Sequence, residues 1–288
     1  GKVPDPLLRT NGGFTYPELR IHYDGTELGG DRSTAFGRLS EGGAYATTIT
    51  RPDLFEPYLR EQLGLIGEQY AVRFEVVASQ QEIPFPYVLD GMTGGALGGV
   101  SPQDLSRHFP ATELADIGDE LADGLFNIDL GSNRPLALFD ALRTDFSLAR
   151  LKHYTGTPPE HFQKFILFTN YHRHVDEFVQ WAAGQVGQNG YTALSGAGGL
   201  FTESAGADPT QLVADSAWRR HQMPAYHLIA PGRAGISLVN IGVGPSNAKT
   251  ITDHLAVLRP EAWLMIGHCG GLRPTQRIGD YVLAHAYL

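Results

Sequence analysis

Between residues 236 and 271 the sequence reads strand, glycine turn, helix, strand, glycine turn, an order that few folds accommodate. Ile236 to Ile241 is a short apolar run that ends in Gly242-Val243-Gly244-Pro245-Ser246. Ser246 to Leu258 follows as a helix with Ala248, Ile251, Leu255 and Leu258 on its inner face. Ala262 to Ile266 is a second buried strand, ending in Gly267-His268-Cys269-Gly270-Gly271. A crossover of this length makes the two strands parallel. With the strands side by side, both glycine turns fall on one carboxyl edge, the edge at which open α/β sheets bind ligands. Glycines let backbone N–H groups approach an anion, and the helix N-terminus adds donors and positive potential. The natural guest is a phosphate.

The same alternation extends upstream. Phe165-Ile166-Leu167-Phe168 is a continuous apolar run, as in a strand buried on both faces. The helix after it keeps Val175, Phe178, Val179, Ala182 and Val186 on one side. Tyr191 to Leu194, Tyr226 to Ile229 and Tyr281 to Leu288 complete the strand candidates, and the turn-like Pro231-Gly232-Arg233-Ala234-Gly235 leads into Ile236. From about Tyr154 onward a mostly parallel α/β sheet is therefore expected. Before it, strands at Leu19 to Tyr23, Tyr45 to Thr50 and Val72 to Val77 surround one helix. That helix carries Pro52 in its first turn and Phe55, Leu59, Leu63 and Ile66 at helical spacing. The expected organisation is an N-terminal α+β domain over 1–155 and an α/β domain over 156–288. The glycine-rich stretch Gly91 to Gly99 reads as a mobile loop.

Composition narrows the partners. The chain has 288 residues, with 22 basic against 31 acidic and a net charge of −9, so a broad basic surface for nucleic acid is not expected. No apolar run reaches the roughly 18 residues of a membrane span, and the N-terminus has no basic-then-apolar signal segment. One cysteine, Cys269, leaves no internal disulfide framework. An anion must then be held by a few local cations and oriented amides.

Two known phosphate loops do not fit. A dinucleotide fingerprint needs a third glycine where Asn247 stands and an acidic residue where Gly267-His268 stands. A Walker A loop needs glycine where Ala248 and Val243 stand. A third strand end, Phe168-Thr169-Asn170-Tyr171-His172-Arg173, offers a donor in Asn170, a stacking or donating ring in Tyr171 and a bidentate cation in Arg173; a solvated helix start is the plainer alternative. His172 and His174 flank Arg173 without the carboxylates that would make a metal site. Ser195-Gly196-Ala197-Gly198-Gly199 is either another glycine loop or a connection. Cys269 is expected to be a small buried residue rather than a nucleophile. Arg51, Arg143 and Arg150 are candidate anion ligands in the N-terminal part.

Three long motifs resemble bacterial AMP nucleosidases: Asn240 to Lys249, Trp263 to Arg273 and Ile278 to Ala286. The resemblance extends through Phe168 to Phe178, Asp145 to Thr157 and Thr47 to Phe55. It implies hydrolysis of AMP to adenine and ribose 5-phosphate by a cytoplasmic homohexamer, in which a regulatory α+β domain precedes a nucleoside phosphorylase-like α/β domain. It further implies no cofactor, ATP (alone or with Mg) as an allosteric activator, inhibition by phosphate, and neither nucleic acid nor membrane as partner. The substrate-binding residues it suggests are Asn170, Tyr171, Arg173, Gly242, Val243, Gly244, Ser246, His268, Cys269, Gly270, Gly271 and Arg273. Asn170, Tyr171 and Arg173 would hold the 5′-phosphate, the two glycine turns would line ribose and base, and Arg273 would support the second turn.

Phosphorylases of this fold place an arginine and a serine or threonine where this chain has Met265 and His268. The resemblance thus implies a dismantled co-substrate phosphate site and room for water. The alternatives are a phosphorylase-type transferase and a nucleotide sensor without turnover. The segments that supply the ribose-binding glutamate and the leaving-group acid in this family are expected beyond Leu288, so that the chain is expected to be part of a longer protein with an incomplete catalytic site.

Overall fold

The computed structural model describes residues 15–29, 38–84, 86–87, 119–125, 133–204 and 206–283, and the chain divides into two compact units, Gly1–Ala149 and Arg150–Leu288. The glycine-rich stretch Gly91 to Gly99 lies outside the described residues.

The first unit is built on β1 (Thr15–Glu27), whose Leu19, Ile21 and Tyr23 alternate inward as period-2 patterning requires. β1 pairs antiparallel with β2 (Gly43–Thr48) on one side, Ile21 opposite Tyr45. On the other it pairs with β3 (Tyr70–Glu82), Ile21 opposite Phe74. A two-residue β4 (Arg134–Pro135) joins β2 in parallel, which gives the order β3-β1-β2-β4. Helix α1 (Pro52–Gln69) begins with proline in its first turn and buries Phe55 and Ile66. Helix α2 (Ala141–Thr155) lies on both sides of the division between the units. In its first half, Asp145 accepts from the Tyr16 hydroxyl at 2.8 Å and from Thr50 Oγ1 at 2.9 Å. The strands and helix read from the sequence here are all present.

The second unit is a six-stranded sheet in the order β10-β5-β9-β8-β6-β7. Its strands are β5 (Phe165–Thr169), β6 (Ala193–Gly196), β7 (Leu200–Thr202), β8 (Ala225–Ile229), β9 (Ile236–Asn240) and β10 (Ala262–Met265). Three expectations are corrected. The sheet is mixed: only β10, β5 and β9 run parallel, and β8, β6 and β7 form antiparallel pairs. The reason lies in the short links, because six residues between β8 and β9 and three between β6 and β7 cannot make a crossover. β9 and β10 are not neighbours, since β5 inserts between them. Tyr281 to Leu283 carry no strand and are exposed, and 284–288 lie outside the described residues.

Helix α3 (His172–Gln185) lays Val175, Phe178, Val179, Ala182 and Ala183 on the sheet, where they form one cluster with Leu194, Tyr226, Leu228 and Leu238. Helix α4 (Pro209–Asp215) is N-capped by Asp208, and helix α5 (Pro245–Leu255) buries Ile251 and Leu255 completely. Of the run Ser195 to Gly199, Ser195 and Gly196 end β6, and Ala197 to Gly199 are the β6–β7 hairpin connection. Among the described residues no helix is long and apolar enough to cross a membrane.

Behind the cluster runs a chain of hydroxyls around the fully buried His227. Thr155 Oγ1 donates to the Leu151 carbonyl at 2.6 Å, so the Thr157 hydroxyl, 3.0 Å away, must donate to Thr155. His227 Nε2, 2.9 Å from Thr157 Oγ1, is then the donor, and its Nδ1 accepts from Ser237 Oγ at 2.8 Å. Ser237 in turn accepts the Gln163 amide at 2.8 Å. Every proton has a place, and an imidazolium would leave the Ser237 hydroxyl without its acceptor. Burial, reinforced by nearby His161, holds the His227 pKa well below its ordinary 6.5, whereas in the unfolded chain the ring titrates near that value. The unfolded state therefore binds more protons below pH 6.5, and stability falls as pH drops through that region. Urea unfolding from pH 7.5 down to 5 is expected to show this loss, and His227→Gln is expected to flatten the slope while lowering stability at pH 7.5.

Candidate functional site

The parallel part of the sheet sets out a level edge. Thr169 lies opposite Asn240, and Phe168 lies opposite Met265, so β5, β9 and β10 end together. Three turns leave this edge in spatial order: 266–271, then 170–173, then 241–245. The insertion of β5 separates the two glycine turns by one strand but keeps them on the same side, with the Asn170–Arg173 turn between them. β8 brings a fourth segment. Because it runs antiparallel to β9, the residues that precede it arrive at this edge, and Asn240 N donates to the Pro224 carbonyl at 3.0 Å.

The first glycine turn has a backbone that demands its glycines: φ is 64° at Gly242 and 117° at Gly244. Its interior is braced by side chains. Asn240 Oδ1 accepts the Gly242 amide at 3.1 Å, and Asn247 Nδ2 donates to the Ile241 carbonyl at 2.9 Å. Gly242 N–H is thus already engaged, while the start of α5 carries no side-chain cap and Val243 and Ser246 are exposed.

Between this turn and the segment before β8 lies a cavity of about 280 Å³, lined by His172, Trp218, Arg219, His221, Gln222, Pro224, Asn240 and Gly242. Drug-sized pockets start near 300 Å³, so this is room for part of a nucleotide rather than all of it. Among the described residues the lining holds one arginine, two histidines and two amides, and no carboxylate, which suits an anionic group. His172 Nδ1 lies 3.3 Å from Asn240 Nδ2, and its ring lies 5.3 Å from that of Trp218. The Arg219 guanidinium sits 4.5 Å over the Trp218 ring, a cation–π contact that orients the cation.

Of the twelve residues assigned from the sequence, only Gly242 lines this cavity. Tyr171 and His268 meet instead between the β5 and β10 ends, with ring centroids 4.7 Å apart, and His174 stands 5.0 Å from His268. Burial lowers the His174 pKa, with His268 and Arg173 adding to the effect. Its Nδ1 lies 2.8 Å from Thr169 Oγ1, so His172 and His174 have different partners and do not converge. Asn170 Oδ1 is buried with no partner among the described residues. Arg173 is exposed on the first turn of α3. Gly270 and Gly271 lie in an exposed turn, where the Gln276 side chain packs against Gly271 and accepts the Arg273 amide at 3.0 Å. Support for this turn comes from Gln276, and Arg273 contributes through its backbone. Cys269 is an exposed free thiol, which overturns the expectation that it is buried: among the described residues β10 is an edge strand of its sheet, and Cys269 lies in the turn after it. In the first unit, Arg143 donates to Asp119 at 2.7 Å and to Ser147 at 2.5 Å and is buried, a structural cation rather than an anion ligand.

Comparison with known proteins agrees with the two-part organisation. The family described as bacterial AMP nucleoside phosphorylase N-terminus matches residues 1–133, and the phosphorylase superfamily matches residues 210–288. AMP nucleosidases of Escherichia coli K12 and O157:H7 are each 56% identical over 290 aligned residues, which cover 100% of this chain and 59% of theirs. The chain is thus similar to these AMP nucleosidases along its whole length. It spans about three fifths of the length of these curated relatives. A solved AMP nucleosidase from Bacteroides thetaiotaomicron VPI-5482 aligns over 48% of this chain and 45% of its own at 23% identity and a TM-score of 0.33, too weak a likeness to bear on the fold. The fold class is α/β: an N-terminal α+β part, then an α/β part whose residues 210–288 match the phosphorylase superfamily.

Sequence reasoning missed Trp218, Arg219, His221 and Gln222, although the six-residue link between β8 and β9 carried the signal: it forces an antiparallel pair and so delivers residues 217–224 to the ligand edge. If Asn240 braces the turn as described, Asn240→Ala is expected to cost about 1–3 kcal/mol in urea unfolding, the usual cost of orphaning buried partners. Val243→Ala, at an 85% exposed position of the same turn, is expected to stay within about 0.5 kcal/mol.

Proposed function

We propose that this chain carries the regulatory part and the first section of the catalytic part of an AMP nucleosidase, which hydrolyses the N-glycosidic bond of AMP to adenine and ribose 5-phosphate. The observation that carries this reading is the 56% identity, over the whole chain, to proteins named AMP nucleosidase. The cavity supports it chemically, since a lining that has Arg219 and two histidines and no acid among its described residues suits the anionic end of a nucleotide. Asn170, Tyr171 and Arg173 are further candidates for the 5′-phosphate, and the 242–246 and 268–271 turns for ribose and base.

In this reading the glycosidic bond breaks through an oxocarbenium-like transition state. A carboxylic acid donates to purine N7 so that adenine leaves neutral, and water adds to the anomeric carbon from the opposite face. The leaving-group acid is not assigned to a residue of this chain. Binding of the remote phosphate fixes the ribose in a reactive pose, and so contributes to rate as well as affinity. Met265, at the end of β10, cannot pair with inorganic phosphate, which favours water over phosphate as the acceptor. A cytoplasmic homohexamer, activated by ATP and inhibited by phosphate, belongs to the same proposal.

The test supplies the intact protein with AMP or adenosine, each with and without added phosphate. Adenine and ribose 5-phosphate are expected from AMP whether or not phosphate is added, with adenosine a much poorer substrate. A 1-phosphorylated sugar as product, or preference for adenosine, would select a phosphorylase. AMP binding without adenine release would select a sensor.

A further inference from the structure

The cavity wall from Ala217 to Pro224 has little regular structure of its own, only a 3-10 turn at Trp218–Arg220, and something else must fix its position. Its two ends are tied to neighbouring main chain. Ala217 N donates to the Gly198 carbonyl at 3.3 Å, Gly198 N donates to the Gly156 carbonyl at 3.4 Å, and Met223 N donates to the Tyr154 carbonyl at 2.9 Å. Both ties therefore return to residues 154–156, at the end of α2.

Two positions in this arrangement leave no space for a side chain. The His221 ring lies against the Gly156 Cα, where a Cβ would come within 2.5 Å of Nε2 and 2.6 Å of Cγ. At Gly198 a Cβ would come within 2.5 Å of the Ala217 carbonyl carbon and 2.7 Å of its Cα. Both residues have positive φ, 70° and 75°. Gly199 also has positive φ, but nothing lies within 4 Å of a Cβ there, so close approach is particular to the two glycines that face the wall.

We propose that Gly156 and Gly198 are positioning residues of the ligand cavity: their missing side chains let the 154–156 strap and the β6–β7 connection seat the wall, and so set Trp218 against His172 and Gln222 against Asn247. The second contact is a hydrogen bond from Gln222 Nε2 to Asn247 Oδ1 at 3.3 Å, and it joins the wall to the first turn of α5, whose Asn247 braces the glycine turn. A wall pushed outward by the length of a C–C contact separates both pairs and moves Arg219 with them. The inference rests on the reading of this cavity as part of a nucleotide site.

The experiment compares AMP affinity by calorimetry, and thermal stability, for the wild-type protein and the variants Gly156→Ala, Gly198→Ala, His221→Ala, the Gly156→Ala/His221→Ala pair and Gly196→Ala. Gly196 is the control, because the nearest neighbours of a Cβ there are Tyr226 at 2.6 Å and Leu200 at 3.5 Å rather than a residue of the wall. Gly156→Ala and Gly198→Ala are expected to weaken AMP binding by roughly tenfold or more, since misplacement by about 1 Å has effects of that order. Gly196→Ala is expected to melt earlier with AMP affinity within about twofold of wild type. In the pair, removal of the ring makes the alanine harmless to the wall, so its AMP affinity is expected to equal that of His221→Ala alone, even though the positive-φ strain still lowers its melting temperature. AMP affinity unchanged in Gly156→Ala and Gly198→Ala, or a pair weaker than His221→Ala by the full effect of Gly156→Ala, overturns the proposal. A wild-type protein that does not bind AMP overturns the nucleotide reading, and this proposal with it.

Discussion

The level ends of β10, β5 and β9 are the constraint on which the candidate site depends. Parallel pairing fixes Phe168 opposite Met265 and Thr169 opposite Asn240, so three consecutive turns begin at one height along the sheet. None of those turns could face the others if any strand slipped by a residue, because a slip of one reverses every side chain. The buried faces hold the register: Ile166 and Phe168 of β5 and Leu238 and Val239 of β9 have almost no exposed surface. The apolar core thus decides where the turns after β5 and β9 stand, while β10, exposed along its length, takes its place from its backbone pairing with β5.

A net charge of −9 and a cavity suited to an anion are compatible because the two describe different scales. At about 0.15 M salt, charges more than roughly 8 Å apart are largely screened, and the acidic surface has little influence on a cavity with no carboxylate among the described residues of its lining. What counts is local. The Arg219 guanidinium rests on an indole, His172 and Asn240 face each other, and Gly242 offers main chain rather than side chain. Arg143 shows the opposite use of a cation: held by Asp119 and Ser147 and flanked by the rings of Phe139 and Phe146, it is committed to packing.

Most elements were legible in the sequence because their patterns are local. The spacing of Val175, Phe178, Val179 and Ala182 set the buried face of α3, and the apolar run at 165–168 set β5. The glycine turn at 242–244 was legible for the same reason, since positive φ at two positions two residues apart excludes most other residues. Strand order was not legible. Nothing in the β9–α5–β10 stretch says that β5 lies between its strands, since that pairing joins residues about 70 to 100 positions apart. Site membership failed in step with topology. A mostly parallel sheet sends residues 217–224 to the wrong edge, and with them Trp218, Arg219, His221 and Gln222. The resemblance of motifs pointed to Tyr171 and His268, which do meet, yet it gave no weight to a wall with little regular structure.

The short run 154–157 shows how stability and site geometry come to share residues. The Tyr154 carbonyl holds the cavity wall at Met223 and the Gly156 carbonyl holds Gly198, which in turn accepts from Ala217, whereas one residue later Thr157 accepts from His227 in the core. The two roles require opposite chemistry from adjacent positions. Gly156 must have no side chain, because the His221 ring occupies its place, and Thr157 must have a hydroxyl, because a buried neutral imidazole needs an acceptor for Nε2–H. A segment bound on one side by a fully satisfied polar chain has little freedom to shift, and that rigidity is what a wall with a single 3-10 turn lacks by itself. The buried His227 network therefore stands behind the cavity as its foundation: by fixing Thr157 it fixes Gly156, and through Gly156 the ring of His221.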